Sequence, residues 1–169
     1  MSNLETPSPP WRALRTNPRA EKAVRDTLTE RCIEVFLPTV TRRQRWKDRT
    51  KTIEWPLFPG YCFARVGPSH QLTALQCRGV ISIVSFAGIQ ATIPDQEIEN
   101  LRTLISSHLA LEPIPFLREG TRVQVIHGPL AGMVGRLVRQ DQRARLVLSV
   151  DLIALAVSVD VDAADVRQL

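Results

Sequence analysis

The C-terminal third of the chain alternates apolar and polar residues over four short segments separated by turn signals. These segments are Val123–Val125, Val134–Val138, Leu146–Val150 and Leu155–Val159. Because successive side chains of a β-strand point to opposite faces of a sheet, this period of two predicts strands with one buried face. Several such strands in close succession are typical of a small β-barrel, so we expect an all-β domain at residues 118–169.

The residues before this region combine helical and strand periodicity. Ile98, Leu101, Ile105 and Leu109 form an apolar stripe at helical spacing, which predicts a helix that begins at Asp95. Strands are predicted at 61–66 and 80–86, and a first helix is predicted from an N-cap at Asn17 to near Arg31. We therefore expect an α+β domain at residues 11–107.

Two polar, proline-containing stretches separate or precede these domains. Pro113 and Pro115 interrupt the pattern and predict a linker at residues 108–117. Residues 1–10 hold three prolines without periodicity, and we expect a disordered tail there.

The positive charge of the chain lies in its first third. The net charge is +5, and residues 1–65 hold 13 Lys and Arg against 7 Asp and Glu. Such asymmetry favours contact with a polyanion or an acidic protein, although a solvated basic face would have the same composition. Six basic residues lie between Arg42 and Lys51 with Trp46 among them, and this segment is either an exposed β-ribbon or a mobile loop.

The strand at 61–66 has two chemically different faces. Cys62, Ala64 and Val66 form a small apolar face, whereas Tyr61, Phe63 and Arg65 form the other. If the small face packs under a helix, the aromatic face points outward and fits a protein-docking patch. In the alternative interpretation Tyr61 and Phe63 belong to the core and the small apolar face lies outside.

Enzymatic chemistry has no support in the sequence. The three cysteines show no CxxC pairing, and the three histidines are widely spaced without a metal-ligand pattern. We expect no catalytic residue, no metal and no cofactor. The chain has no run of 18 apolar residues and no secretory signal, so we expect a cytoplasmic protein without a membrane segment.

Several segments resemble one known family. These are Trp11–Thr16, Pro56–Phe63, Arg78–Val80 and Ile93–Asp95, which look like the N-terminal (NGN) domain of NusG-type transcription elongation factors. The segment Glu119–Arg139 looks like the KOW motif that opens their C-terminal barrel. The resemblance covers about residues 11–169 and implies an antiparallel sheet flanked by helices, joined by a linker to a small SH3-like KOW β-barrel.

The resemblance also implies binding partners. An apolar patch of the N-terminal domain would dock onto the clamp helices of the largest RNA polymerase subunit and would suppress pausing and termination, with the protein acting as a monomer. By position, this patch comprises Phe58, Tyr61, Phe63, Ile98 and Leu101.

Further contacts follow from the same resemblance. Arg15, Arg19 and Arg78 would approach non-template DNA near the upstream fork, with Gln76 as a base contact. The segment from Arg42 to Lys51 either reaches nucleic acid or is only solvated. The KOW domain would recruit ribosomal protein S10 or Rho through Leu152 and Ile153.

The sequence departs from the housekeeping pattern in the barrel. Housekeeping NusG proteins carry a run like FGRxTPVEL, whereas residues 152–159 here read LIALAVSV. Together with the spacing at 78–101, this favours a specialised, RfaH-like or capsule-operon antiterminator. The alternatives are a housekeeping factor that acts with Rho, and a ribosome- or RNA-binding KOW protein.

Overall fold

The computed structural model describes residues 7–115, 119–140 and 143–169. Its helices are α1 (Glu21–Glu30), α2 (Gln71–Leu75) and α3 (Asp95–Ser106). Its strands, in chain order, are β1 (Trp11–Thr16), β2 (Val35–Phe36), β3 (Thr39–Arg45), β4 (Thr50–Pro56), β5 (Tyr61–Arg65), β6 (Val80–Ile83), β7 (Ser85–Phe86), β8 (Ile89–Gln90), β9 (Leu111–Pro115), β10 (Thr121–Val125), β11 (Val134–Gln140), β12 (Arg143–Val150), β13 (Leu155–Val161) and β14 (Val166–Gln168).

The chain divides into two compact units. The first unit comprises the chain up to Leu37 together with Pro59–Asp95, and the second comprises Pro38–Phe58 together with Gln96–Leu169. Both units are built on antiparallel sheets. The predicted combination of an α+β part with a β-rich C-terminal part is confirmed.

The first unit contains a four-stranded sheet in the order β2-β5-β1-β6. Helices α1 and α2 supply apolar side chains to a core on one face of this sheet, and α1 does so with Val24 and Leu28, which are one helical turn apart. Leu14, Cys62 and Ala64 are the strand residues at the centre of this core, and all three are inaccessible to solvent. The small apolar face of β5 therefore packs under a helix, which agrees with the first of the two interpretations of this strand.

The opposite face of the same sheet is also buried. Trp11, Ala13 and Phe63 lie on this face, and none of them is more than 1% exposed. Phe63 is directly opposite Ala13 in the β1–β5 ladder, and its ring stacks against that of Phe36 with 6.3 Å between the centroids. Both faces of β5 are therefore core at its centre, which neither of the two sequence interpretations anticipated.

Arg65 lies at the end of this buried face, opposite Trp11 in the β1–β5 ladder. Its guanidinium lies 4.8 Å from the ring centroid of Trp11 and forms ion pairs with Glu34 at 2.9 Å and with Asp95 at 3.1 Å. It also donates a hydrogen bond to the Pro9 carbonyl at 2.9 Å. This arginine therefore connects the sheet to the N-terminal segment and to Asp95 at the end of the first unit.

The second unit contains the two-stranded β3–β4 ribbon and a six-stranded sheet in the order β14-β10-β11-β12-β13-β9. The sheet encloses a core of alternate residues such as Val123, Leu146 and Val157, all at most 2% exposed. Strands β11 and β12 approach closely because residue 135 is glycine. A Cβ atom there would lie 2.8 Å from the Val147 carbonyl oxygen.

Two boundary predictions are corrected by the structure. Residues 111–115, which were assigned to a linker, form β9 and pair with β13. Pro113 and Pro115 lack N–H donors, which is tolerated because β9 is an edge strand of the sheet. Residues 116 and 117 lie outside the described residues. Helix α1 begins at Glu21, because the chain first turns at Asn17, whose carbonyl accepts from the Ala20 N–H.

The predicted disordered tail is too long at its C-terminal end. Its residues 1–6 lie outside the described residues. The carbonyl groups of Pro9 and Pro10 accept hydrogen bonds from the Arg65 side chain and from the Val66 N–H, at 2.9 and 3.1 Å. These bonds tie the last residues of the segment to the end of β5.

Among the residues that the structure describes, no helix has both the length and the apolar character that crossing a bilayer requires.

The packing of the first unit predicts how its cysteines react. Burial raises the pKa of the Cys62 thiol to about 12 and also raises that of Cys77, whereas Cys32 is exposed. In the native protein at pH 8, we expect a disulfide reagent to modify Cys32 promptly and the other two thiols only after unfolding. Stopped-flow thiol counting with and without denaturant measures this.

The control is the Cys32→Ser variant, which should lose the fast phase and keep the slow one. Because the folded pKa of Cys62 lies above its ordinary value of 9.0, the stabilisation from the neutral thiol is complete below pH 9. It is lost as the pH rises towards about 12. A second fast-reacting thiol in the native protein would contradict the described packing.

Candidate nucleic-acid interface

The backbone of Gly60 anchors the turn that precedes β5. Its carbonyl accepts a hydrogen bond from the Thr16 N–H, and its N–H donates to Glu21 Oε1, both at 2.8 Å. Glu21 is only 3% exposed although it is a carboxylate. The residue has a φ of +84°, which glycine adopts without steric cost. These two bonds fix where β5 begins and therefore where Tyr61 lies.

Three arginines lie at the end of the first unit's sheet where β1 ends and β6 begins, which is called the basic edge below. Arg15 is on β1, Arg19 is in the turn after β1, and Arg78 is in the turn before β6; all three are exposed. The two turns meet because the Asn17 N–H donates to the Gly79 carbonyl at 2.8 Å. The structure thus brings together basic residues that are 63 positions apart in the sequence, from Arg15 to Arg78.

This edge has uncompensated positive charge. Among the described residues, none of Arg15, Arg19 and Arg78 forms an ion pair. Arg12 behaves differently, since it donates to the carbonyls of Val66 and Gln90 at 3.1 and 2.8 Å. Exposed guanidinium groups without a carboxylate partner can bind phosphate oxygens without reading the base sequence.

Gln76 lies at the same edge. It follows directly after α2, is exposed, and precedes Arg78 by two residues. An exposed amide can both donate to and accept from a base edge. The four residues predicted as nucleic-acid contacts are therefore all exposed and belong to the first unit.

The predicted polymerase-binding patch is mostly buried in the structure. Phe58 is 1% exposed, and Phe63, Ile98 and Leu101 are inaccessible. The expectation that these four side chains form an exposed apolar surface is therefore wrong for the chain as it stands. Periodicity could not reveal this, because it shows which side of a strand or helix is apolar and not whether a second layer covers that side.

Tyr61 is the exception within that set. It is half-buried, and it pairs directly with Arg15 across the β1–β5 ladder. Directly opposite residues of an antiparallel pair share a face of the sheet. An accessible aromatic side chain therefore lies beside the first of the uncompensated arginines.

The two residues predicted as barrel contacts lie in one short 3₁₀ turn, Asp151–Ile153. Leu152 is half-buried, whereas Ile153 is 7% exposed and belongs to the core. Asp151 begins the turn and lies near Glu97 of α3, within the second unit. The pKa of Glu97 is raised, mainly by burial and further by the negative charge of Asp151.

The basic segment forms a β-ribbon and is not a loop without secondary structure. Strands β3 and β4 pair from Thr39↔Pro56 to Arg45↔Thr50, and every residue from 41 to 52 is exposed. Trp46 was singled out from the sequence, whereas Trp55, which is 48% exposed near the base of the ribbon, was not. The signal was available, because 46 and 55 fall on the same face once a hairpin register is assumed.

His127 Nδ1 lies 3.7 Å from Asp165 Oδ1, but both side chains are open to solvent. Within residues 7–115, 119–140 and 143–169, no cluster of three or more His, Cys, Asp or Glu side chains could hold a metal ion.

The chain is similar to known proteins over nearly its whole length. A family model described as "Transcription termination factor nusG" matches residues 9–102. The "Transcription termination/antitermination protein NusG" of Lactococcus lactis subsp. lactis (strain IL1403) is 24% identical over 177 residues, which cover 95% of this chain and 94% of that protein. A solved structure of Thermotoga maritima NusG aligns with 95% of this chain and 97% of its own, with a TM-score of 0.58 and 16% identity.

The Gly60 anchor generates a stability prediction. In Glu21→Ala the half-buried Gly60 N–H loses its acceptor, so we expect the free energy of unfolding to fall by about 1–3 kcal/mol. Glu21→Gln keeps an acceptor oxygen and should lose less. Urea unfolding followed by circular dichroism measures both values.

The matched control is Glu30→Ala, at the exposed end of the same helix, which should change the free energy of unfolding by less than about 0.5 kcal/mol. Equal losses in Glu21→Ala and Glu30→Ala would show that the bond to Gly60 contributes nothing to stability.

Proposed function

Since this chain belongs to the NusG family of transcription termination and antitermination factors, we propose that it binds RNA polymerase through the surface around Tyr61 and promotes elongation through pause and termination sites. The observation that carries the proposal is the register pair of Tyr61 with Arg15, an accessible aromatic beside an exposed cation without an ion-pair partner. Tyr and Arg are the residue types most enriched among the energetically dominant residues of protein interfaces.

The proposed binding partner is the pair of clamp helices of the largest polymerase subunit. A half-buried tyrosine can lose its remaining accessible surface on contact while its hydroxyl keeps a hydrogen bond at the rim. The fixed position of Tyr61 supports this role, because the preceding Gly60 is held by one hydrogen bond from the Thr16 backbone and one to the Glu21 side chain. A preorganised contact residue costs little conformational entropy when it binds.

The four buried members of the predicted patch receive a different role. Phe58, Phe63, Ile98 and Leu101 are core residues. We therefore assign polymerase contact to Tyr61. Phe63 supports β5 from within the core, where its ring stacks against that of Phe36.

The basic edge supports a second contact of the same complex. Arg15, Arg19 and Arg78 would bind phosphates of non-template DNA near the upstream fork, and Gln76 would contact a base there. Three phosphate contacts would make the binding salt-dependent without making it sequence-specific. A single amide contact adds only modest selectivity.

The mechanism consists of binding equilibria and no covalent step. A factor shifts polymerase from a paused to an elongating state only if it binds the elongating state more tightly. A factor that contacts both protein and DNA of the elongating complex can meet this condition because its two contacts are satisfied together only in that state.

The barrel is proposed as the recruiting module. Leu152 is accessible for contact, and Ile153 anchors its turn in the core. Ribosomal protein S10 and Rho are the two candidate partners. The segment 152–159 lacks the Phe-Gly-Arg run of housekeeping proteins, which favours an operon-specific antiterminator over a factor that acts with Rho.

Polymerase binding through Tyr61 is tested by substitution. In Tyr61→Ala we expect affinity for core RNA polymerase to fall about 30-fold, as loss of a dominant interface residue worth about 2 kcal/mol would produce. Tyr61→Phe should retain most of the affinity. Phe86→Ala, which removes a 61% exposed aromatic from the β7–β8 hairpin, is the matched control. Biolayer interferometry with immobilised polymerase gives all four constants.

Ribosomes in a parallel experiment distinguish the remaining class of function. Binding to ribosomes without binding to polymerase, or equal polymerase affinities of Tyr61→Ala and Phe86→Ala, would contradict the proposal.

The direction of the effect is tested by single-round transcription through pause and Rho-dependent sites. We expect faster read-through in the presence of the protein and a smaller effect with Tyr61→Ala. Enhanced termination that requires Rho would instead support the housekeeping role.

A further inference from the structure

The β3–β4 ribbon places both of its tryptophans on one face. Side chains of β3 at positions 40, 42 and 44 share a face, and their partners in the ladder are Trp55, Ile53 and Lys51. The Trp46 N–H donates to the Arg49 carbonyl at 2.8 Å, which continues the ladder by one residue. Trp46 therefore follows on the same face as Arg42 and Trp55.

The two indole rings are accessible at opposite ends of this face. Trp46 is 57% exposed at the tip, and Trp55 is 48% exposed towards the base. At about 3.3 Å per residue, the levels of Trp55 and Trp46 are separated by about 20 Å along the ribbon. Arg42 and Lys51 lie between these two levels.

The basic residues of the ribbon have no ion-pair partner among the described residues. Six basic residues stand against Asp48 between positions 42 and 51, and among the described residues none of the six forms an ion pair. The opposite face carries Arg43 and Arg45, whose ladder partners are Thr52 and Thr50. Guanidinium and hydroxyl groups are the usual phosphate contacts of nucleic-acid-binding proteins.

We propose that the tryptophan face of the β3–β4 ribbon binds single-stranded nucleic acid, with unpaired bases stacked on Trp46 and Trp55 and the phosphate backbone held by the basic residues between and beside them. Aromatic rings in a positive surface are the shared feature of proteins that bind single strands without sequence preference. A duplex does not offer its base faces to a flat exposed ribbon, so the arrangement selects for unpaired strands. The proposal does not depend on polymerase binding.

The combination of cations and indole rings on this face disfavours two other binding partners, an apolar protein surface and a polyanion without bases. An apolar protein surface would have to desolvate Arg42 and Lys51 between the two rings, which is costly without carboxylate partners. A polyanion without bases would satisfy the cations and leave both indole rings in water. A strand with bases and phosphates satisfies both groups at once.

Intrinsic fluorescence of the full chain tests the proposal directly. The chain has three tryptophans, and Trp11 is 1% exposed, so a ligand that quenches the emission acts on Trp46 and Trp55. We expect quenching by a 20-mer of thymidine and by the equivalent uridine 20-mer, and the tighter of the two identifies the preferred backbone. A 20-base-pair duplex and heparin serve as probes with charge but without accessible base faces, and neither should quench comparably.

Substitution separates stacking from charge. The double variant Trp46→Leu/Trp55→Leu keeps every charge, and we expect its affinity for a labelled thymidine 20-mer to fall at least tenfold in fluorescence anisotropy. Arg43→Gln/Arg45→Gln should instead make log K depend less steeply on log salt, as expected when about two phosphate contacts are lost. The controls are Phe86→Leu for an exposed aromatic elsewhere and Arg143→Gln for an exposed arginine already paired with Asp160 at 3.5 Å.

Two results would overturn the inference. One is wild-type affinity in the double tryptophan variant, with its fold verified by circular dichroism. The other is binding of heparin or duplex as tightly as of the single strand without a difference in quenching. Neither result bears on Tyr61, so failure here and failure of polymerase binding are distinguishable.

Discussion

The two hydrogen bonds on the backbone of Gly60 determine the arrangement on which the candidate interface depends. They join α1 through Glu21 and β1 through Thr16 to the turn before β5. A buried carboxylate is costly unless its oxygens are bonded, so the position of Glu21 and the course of this turn constrain each other. Because Gly60 precedes Tyr61 directly, the same bonds hold the aromatic side chain opposite Arg15.

Four arginines of the first unit fall into two groups by what surrounds them. Arg12 and Arg65 are tied to backbone carbonyls, to carboxylates or to the Trp11 ring, and they stabilise the sheet and its N-terminal segment. Arg15 and Arg78 have no ion-pair partner among the described residues. Composition counts all of these cations alike, whereas only the second group is available to a ligand.

Much of the fold could be predicted from local pattern. The helix from Asp95 and the strands around Val123 and Val157 were predicted because their periodicity is long and regular. The β9 strand was not, because Pro113 and Pro115 are usual marks of a connection, and only the pairing of this segment with β13 shows otherwise. Local pattern has no access to a partner strand that follows about 40 residues later.

The sequence by itself determined the family, the long elements with regular periodicity and the concentration of positive charge in the first third of the chain, because these depend on residue types and their spacing. Tertiary structure decided which apolar side chains are accessible. Phe63 and Tyr61 share one face of one strand, yet Phe63 is fully buried and Tyr61 is not. The difference arises because burial depends on what packs over a residue from distant parts of the chain, and periodicity within a strand carries no information about that second layer.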